Sequence, residues 1–193
     1  FNEILYDFRG NIKFSSMISK LCNYNRRSEF IISIVKAELN LNKKQQVMIL
    51  GHNRSMLVYL YKAIEHQRIA SVGYYLGGMK EEDLKQTETK TIIIATYSMA
   101  AEALDIKTLT TLVLATPKTD ITQAVGRILR VKHENPLVID IVDQHAVFKN
   151  QWKKRQAFYK KNKYKVYYTD NYTTDLTKWT EIKNTTKKRE CLI

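Results

Sequence analysis

The sequence has few residues that interrupt helices and strands or that cross-link a chain: its 193 residues include six Gly, two Pro and two Cys. Cys22 and Cys191 lie too far apart in sequence to indicate a disulfide framework, which favours a reducing intracellular compartment. Long apolar runs are also missing, since no window approaches the roughly 18 residues that a membrane-spanning helix needs. We therefore expect no membrane segment.

Acidic residues are scarce as well: 19 Asp and Glu stand against 32 Lys and Arg, which gives a formal net charge of +13. Such an excess attracts polyanions over long distances. Nucleic acid is the first candidate partner and an anionic membrane surface the second. Plain solubility is the alternative that needs no partner.

Several catalytic signatures are absent. No Gly-x-x-x-x-Gly-Lys-Ser/Thr segment occurs, so the sequence lacks a phosphate-cradling loop, and the four histidines lack the spacing of metal ligands. Asp140 and Asp143 follow an apolar run and leave a metal-binding strand end as an alternative, although Mg²⁺ sites normally share substrate phosphates. The first residue, Phe1, and the lack of an apolar leader favour a fragment over a secreted protein.

The composition divides the chain into three regions. Residues 1–42 are predicted to form a linker and an N-terminal helix near 29–39, and residues 148–193 form a basic, aromatic extension. Between them, 43–147 alternate short apolar runs with amphipathic stretches. The runs predict strands at 46–51, 69–75, 91–95, 109–115 and 137–142, with helices at 53–64, 80–86 and 120–129. This alternation predicts an α/β fold, a doubly wound parallel sheet flanked by helices.

Chemistry in such a sheet gathers at the carboxyl ends of the strands. Polar or glycine-containing segments follow the predicted strands at 51–54, 77–80, 96–105 and 123–130. In the last segment, Arg127 and Arg130 share one face of a predicted helix with Gln123. Two fixed guanidinium groups suit the charge on a transferring phosphoryl group. A solvated helix face with two structural salt bridges is the alternative.

These segments, in this order, resemble the C-terminal RecA-like domain of superfamily 2 helicases. Residues 123–130 are similar to motif VI, 96–106 to motif V, 49–54 to motif IV and 77–80 to the segment after it. Residues 95–106 and 152–155 further resemble helicases of large nucleocytoplasmic DNA viruses that are related to the poxviral transcript-release helicase. The resemblance implies an ATP-dependent helicase or translocase with a role in transcription, located in a viral factory or virion.

The resemblance also implies roles for single residues. Arg127 and Arg130 would face the ATP γ-phosphate, and Gln123 would lie against the N-terminal RecA-like lobe of the same polypeptide. Asp105 and Glu102 would lie near the nucleotide. ATP with Mg²⁺ would be bound mainly by the N-terminal lobe, so the chain alone is expected to be inactive. The loops would contact the nucleic-acid backbone through Asn53, Arg54, Gly78, Met79, Thr96 and Ser98.

In the basic extension, Lys153, Lys154 and Arg155 are expected to hold phosphates. DNA is favoured over RNA as the track. Two other functions stay open: a non-catalytic nucleic-acid-binding module with a motor-like fold, and a basic lobe that docks on an acidic protein. The interleaved aromatic rings are expected to pack on the lobe rather than to stack on bases: Trp152, Phe158, Tyr159 and Tyr164.

Overall fold

The structure, a computed structural model, describes residues 3–102, 106–128, 136–169 and 175–182, without the side chains of Glu102, Arg127, Ile128 and Leu176. Its centre is a five-stranded parallel sheet with the strand order β2-β3-β1-β4-β5. The predicted parallel sheet is confirmed. The strands are β1 Val47–Gly51, β2 Val72–Tyr75, β3 Ile92–Thr96, β4 Thr111–Leu114 and β5 Leu137–Asp140.

Seven helices are described, and they cover both faces of the sheet. No helix of the described residues is long and apolar enough to cross a membrane. After the last helix, the two-residue strands β6 Tyr167–Tyr168 and β7 Thr180–Glu181 pair antiparallel, with a 3₁₀ turn at Leu176–Lys178. The helices are α1 Phe14–Cys22, α2 Asn25–Leu41, α3 Arg54–His66, α4 Glu81–Glu88, α5 Tyr97–Glu102, α6 Thr122–Ile128 and α7 Ala146–Lys161.

The side chains of β1 show how the two faces divide, because successive residues of a strand point to opposite sides. Val47 and Ile49 belong to an apolar cluster with α1, α2 and α3. Met48 and Leu50 belong to a second cluster with α5, α6 and the end of α7. Burial on both faces explains why β1 is apolar at every position before Gly51.

The N-terminal region differs from the prediction. We expected a linker before a helix near residue 29, but α1 occupies Phe14–Cys22 and α2 begins at Asn25. Met17 and Leu21 of α1 are buried in the first cluster, so this helix is part of the lobe. Its short length and the absence of a side-chain cap at Lys13 gave no start signal. The division at residues 42 and 147 stays a prediction.

The helical basic extension is confirmed by α7, which continues directly from the sheet. Its aromatic residues pack as predicted: Tyr159 is buried in the second cluster, and Trp152, Phe158 and Tyr164 lie against the same cluster. The rings therefore stabilise the attachment of α7, and their packing argues against use as a base-stacking platform.

Candidate functional site

The loops that follow the strands meet at one edge of the sheet, because all five strands run parallel. In space, the loop after β1 lies between the loop after β3 and the segment after β4. The last segment leads into α6, and α6 packs against α5. The structure thus places α5, which follows β3, against the helix that carries Arg127, and the loops after β1 and β2 lie along the same edge. We call this side of the sheet the carboxyl edge.

Asn53 and Arg54 lie at the start of α3, directly after β1. The Asn53 side chain accepts a hydrogen bond from the Met56 backbone N–H at 3.0 Å, so Asn53 is the N-cap of α3. Arg54 is exposed beside it. The cap fixes this turn at the carboxyl edge, so Asn53 has a structural role whether or not it also contacts a phosphate.

Gly78 and Met79 follow β2 and differ in what they expose. Gly78 has φ of +84°, a conformation that side chains other than glycine's rarely adopt, and its backbone is exposed. Met79 is partly buried against the first cluster, and its sulfur accepts the Leu76 N–H at 3.3 Å. Of the two predicted contacts, Gly78 is open to a ligand, whereas the Met79 side chain is engaged in packing.

Thr96 is the last residue of β3, and Ser98 lies in the first turn of α5. Their hydroxyl oxygens are 3.1 Å apart, and Thr96 Oγ1 also accepts the Met99 N–H at 3.4 Å. Ser98 is exposed. Small hydroxyls beside a helix start are suited to a phosphate oxygen, which is the role predicted for this pair.

Helix α6 exposes one face within the described part of the chain. Gln123 and Gly126 are exposed, whereas Ala124 and Val125 are buried against the second cluster. A Cβ atom at Gly126 would meet no other atom within 4 Å. This face therefore has room for the close approach of another surface.

Several predicted nucleotide-site groups lie outside the residues and side chains that the structure describes. Arg127 lies in α6, but its side chain is outside the described residues, as is the side chain of Glu102 in α5. Arg130 and Asp105 lie wholly outside them. The pairing of two guanidinium groups on one face of α6 accordingly stays a prediction.

Arg155 corrects the predicted nucleic-acid interface. Its side chain is 1% exposed, donates to both carboxylate oxygens of Asp140 at 2.7 and 2.9 Å, and donates to the Lys118 carbonyl at 2.6 Å. A guanidinium held in this way cannot also reach a phosphate, so its assignment to nucleic-acid binding is wrong. The signal was available in the helical spacing, because Arg155 shares a face with Trp152 and Tyr159.

Ion pairs occupy both carboxylates of the alternative metal site at Asp140 and Asp143. Arg27 donates to both oxygens of Asp143 at 2.7 and 2.8 Å, while Arg155 occupies Asp140. The described residues contain no group of three or more metal-ligating side chains. Both aspartates are therefore structural partners of buried arginines.

Sequence reasoning missed a cluster centred on Thr116, which follows β4. Thr116 Oγ1 accepts the His52 N–H at 3.1 Å and lies 2.8 Å from His52 Nδ1. The buried Tyr97 hydroxyl donates to the Thr116 carbonyl at 2.6 Å. Burial, with the Lys118 charge, lowers the pKa of His52, and burial raises the pKa of Tyr97, which keeps its proton for donation. His52 and Tyr97 each adjoin a predicted loop residue, which was the one available signal.

Lys153 and Lys154 are exposed on the outer face of α7, and their binding to phosphates stays a prediction. The helix contains no Asp or Glu, and no ion pair within the described residues engages its lysines. A cationic surface of this kind is suited to a polyanion. Its exposed lysines are Lys149, Lys153, Lys154, Lys160 and Lys161.

A parallel five-stranded sheet of this order, flanked by helices and with its loops gathered at one edge, is the fold of a helicase C-terminal RecA-like domain. The bacteriophage T4 protein UvsW aligns with a TM-score of 0.62 and 20% identity, over 76% of this chain and 35% of UvsW. S. cerevisiae Dbp5 bound to RNA and ADP BeF3 gives 0.52 and 16% identity, over 67% of this chain and 35% of Dbp5. The helicase MrfA bound to DNA and AMPPNP gives 0.53 and 16%, over 69% and 20% of the two chains.

By sequence, the chain is a homologue of viral proteins named as helicases. "Putative ATP-dependent RNA helicase L396" of Acanthamoeba polyphaga mimivirus is 40% identical over 157 residues, which are 79% of this chain and 30% of the relative. "Putative ATP-dependent RNA helicase QP509L" of African swine fever virus is 24% identical over 162 residues, covering 79% and 32%. The chain thus spans about a third of these relatives, and no family model matches it. The predicted resemblance to helicases of large DNA viruses is confirmed.

Proposed function

We propose that this chain is the second motor lobe of an ATP-dependent nucleic-acid helicase or translocase. Its carboxyl edge would grip a nucleic-acid backbone, and Arg127 and Arg130 would act as arginine fingers on ATP bound to another RecA-like lobe of the same polypeptide. The observation that carries the proposal is the exposed face of α6, with Gln123 and Gly126, beside the glycine and hydroxyl loops. The viral homologues support it through their names as ATP-dependent helicases.

The ATP site would be shared, with Mg²⁺ and the phosphates held mainly by the other lobe. The sequence has no phosphate-cradling loop, and arginines occupy the carboxylates of Asp140 and Asp143. This chain would add Gln123 at the interface, the two arginines at the γ-phosphate, and Asp105 and Glu102 near the nucleotide. We therefore propose that the chain alone hydrolyses no ATP.

The nucleic acid would lie across the loops after β1, β2 and β3. Gly78 offers an exposed backbone, Ser98 an exposed hydroxyl and Arg54 an exposed charge, which are groups that position a phosphate backbone without reading sequence. Lys153 and Lys154 would add electrostatic attraction. DNA remains the proposed track, although the homologues carry RNA helicase names, so both nucleic acids belong in the test.

The test is the ATPase activity of the whole protein with single- and double-stranded DNA and RNA in parallel. We expect stimulation by at least one of them, and we expect Arg127→Ala to reduce kcat by about 10³-fold or more, the range known for arginine fingers. The same variant should bind nucleic acid with a Kd within about threefold of the wild type, because the arginine would contact ATP and not the track.

Arg26→Ala is the matched control, because Arg26 is exposed on α2 and lies outside the proposed site. It should leave kcat unchanged. Equal loss of hydrolysis and nucleic-acid binding in Arg127→Ala would instead indicate a folding role. Nucleic-acid binding by a wild-type protein that never hydrolyses ATP would favour the non-catalytic binding module.

A further inference from the structure

Residues 115–118, which we call the β4–α6 segment, join the end of β4 to the approach to α6. Three of their four carbonyl groups accept hydrogen bonds from side chains of other elements. Arg27 of α2 donates to the Ala115 carbonyl at 2.6 Å, Tyr97 of α5 to Thr116 at 2.6 Å, and Arg155 of α7 to Lys118 at 2.6 Å. Side chains from three different helices therefore hold this connecting segment.

The two ends of the segment are anchored by buried charges. Arg27 and Arg155 have side chains 4% and 1% exposed. Arg155 is paired with Asp140, the last residue of β5, and Arg27 with Asp143, which follows that strand. Buried ion pairs add little net stability but fix geometry when their hydrogen bonds are complete. The backbone at residues 115 and 118 therefore has little freedom to move independently of β5.

The middle of the segment is held instead by the loops of the carboxyl edge. His52 precedes Asn53 and reaches the Thr116 hydroxyl, while Tyr97 follows Thr96 and reaches the Thr116 carbonyl. The His52 and Tyr97 rings are also in contact, with centroids 4.7 Å apart. Two loops proposed to touch nucleic acid thus converge on one residue.

Only five residues separate Thr116 from the start of α6 at Thr122. This connection is stiff, because Pro117 has a fixed φ and the Asp120 side chain accepts the Thr122 N–H at 2.9 Å. The position of Thr116 therefore helps to set the position of α6, and with it that of Arg127, over a short and constrained connection.

We infer that His52 and Tyr97 are positioning residues that hold Thr116 and so link the nucleic-acid loops to the arginine-bearing helix α6. The inference rests on the proposed function. When nucleic acid binds the loops, the contacts of His52 and Tyr97 with Thr116 set the orientation of α6. Removal of those contacts leaves both ligand sites intact but weakens the effect of nucleic acid on hydrolysis.

The experiment measures kcat for ATP in the whole protein with and without saturating single-stranded nucleic acid. Tyr97→Phe removes only the hydroxyl that reaches the Thr116 carbonyl, and Thr116→Val removes only the hydroxyl that meets His52. In each variant we expect the ratio of stimulated to basal kcat to fall about fivefold, the lower range of coupling between sites. The Kd for nucleic acid should change by less than about twofold, because neither group is placed on the ligand.

Tyr59→Phe and Thr89→Val are the matched controls. Each loses a surface hydroxyl that bonds within the lobe, to Glu29 and to the Gln86 carbonyl respectively, and each should keep the wild-type ratio. Thermal melting identifies any variant that loses stability rather than coupling.

The outcomes separate this inference from the proposed function. Wild-type ratios in well-folded Tyr97→Phe and Thr116→Val overturn the inference alone. A wild-type protein whose ATPase does not respond to nucleic acid overturns the proposed function, and the inference fails with it.

Discussion

Three neighbouring basic residues of α7 differ in whether their side chains are buried or exposed. Arg155 is 1% exposed and bonded to Asp140 and Lys118, whereas Lys153 and Lys154 are exposed, with no acid engaging them within the described residues. The difference follows from the helical period, which turns Arg155 toward the sheet and its neighbours away from it. The role of a basic residue in a sequence can therefore be assigned only when the residues that its side chain contacts in the fold are known.

The same contrast extends from one helix to the whole lobe. At the end of β5, two aspartates and two arginines are buried as pairs, and they join α2 and α7 to the sheet. On the outer face of α7, five lysines lie side by side without acids. The first set serves the fold, whereas no acid of the described residues pairs with the second, so mutations in the two sets should separate stability from the proposed binding.

The largest expected effect is on the buried side. Arg155→Met keeps most of the side-chain volume but leaves the Asp140 carboxylate buried without its cation. We expect the free energy of unfolding to fall by about 3–5 kcal/mol, which is the usual result of removing one partner of a buried ion pair. Chemical denaturation monitored by circular dichroism measures this loss.

Lys154→Met is the matched control, because it removes a positive charge one residue away on the exposed face. Its free energy of unfolding should stay within about 0.5 kcal/mol of the wild type. Adding Asp140→Asn to Arg155→Met should recover part of the lost free energy of unfolding, because it removes the unpaired negative charge of the buried Asp140 carboxylate. A loss below about 1 kcal/mol in Arg155→Met would mean that the pair does not hold α7 to the sheet.

The strands and the cap of α3 could be predicted because their causes are local. Apolar runs mark β1 to β5, and Asn53 carries its own capping chemistry. Arg155 could not be assigned in the same way, since its role depends on Asp140, 15 residues earlier, and on the Lys118 carbonyl. The Thr116 cluster could not be predicted for the same reason, because Thr116 is 64 positions from His52 and 19 from Tyr97 in the sequence.

A smaller effect is expected on the exposed side, in binding rather than in stability. Replacement of Lys149, Lys153 and Lys154 by Gln should reduce the salt dependence of single-stranded nucleic-acid binding, because fewer counterions are released. If each lysine neutralises one phosphate, the slope of log K against log salt becomes shallower by about 2. Fluorescence anisotropy over a series of salt concentrations measures the slope.

A control with the same charge change uses Lys43, Lys44 and Lys62, which are exposed toward the amino edge of the sheet. Because these lysines lie away from the carboxyl edge, their replacement should alter the slope by less than about 1. Equal effects of the two triple variants would show that only total charge matters and that the α7 face has no special role. Both variants should unfold with wild-type free energy to within about 0.5 kcal/mol.

The smallest expected effect is that of His52 on how the free energy of unfolding changes with pH. Burial and the nearby Lys118 charge lower its pKa in the folded state, so between that lowered pKa and the usual value near 6.5 the unfolded chain binds more protons. The free energy of unfolding should therefore be fully present above about pH 6.5 and fall as the pH drops below it. His145 acts in the same direction, since burial lowers its pKa as well.

His52→Gln should make the decline in the free energy of unfolding between pH 7 and pH 5.5 shallower without abolishing it. Chemical denaturation at each pH measures this decline. An unchanged decline would show that the contact with Thr116 does not depend on a neutral imidazole.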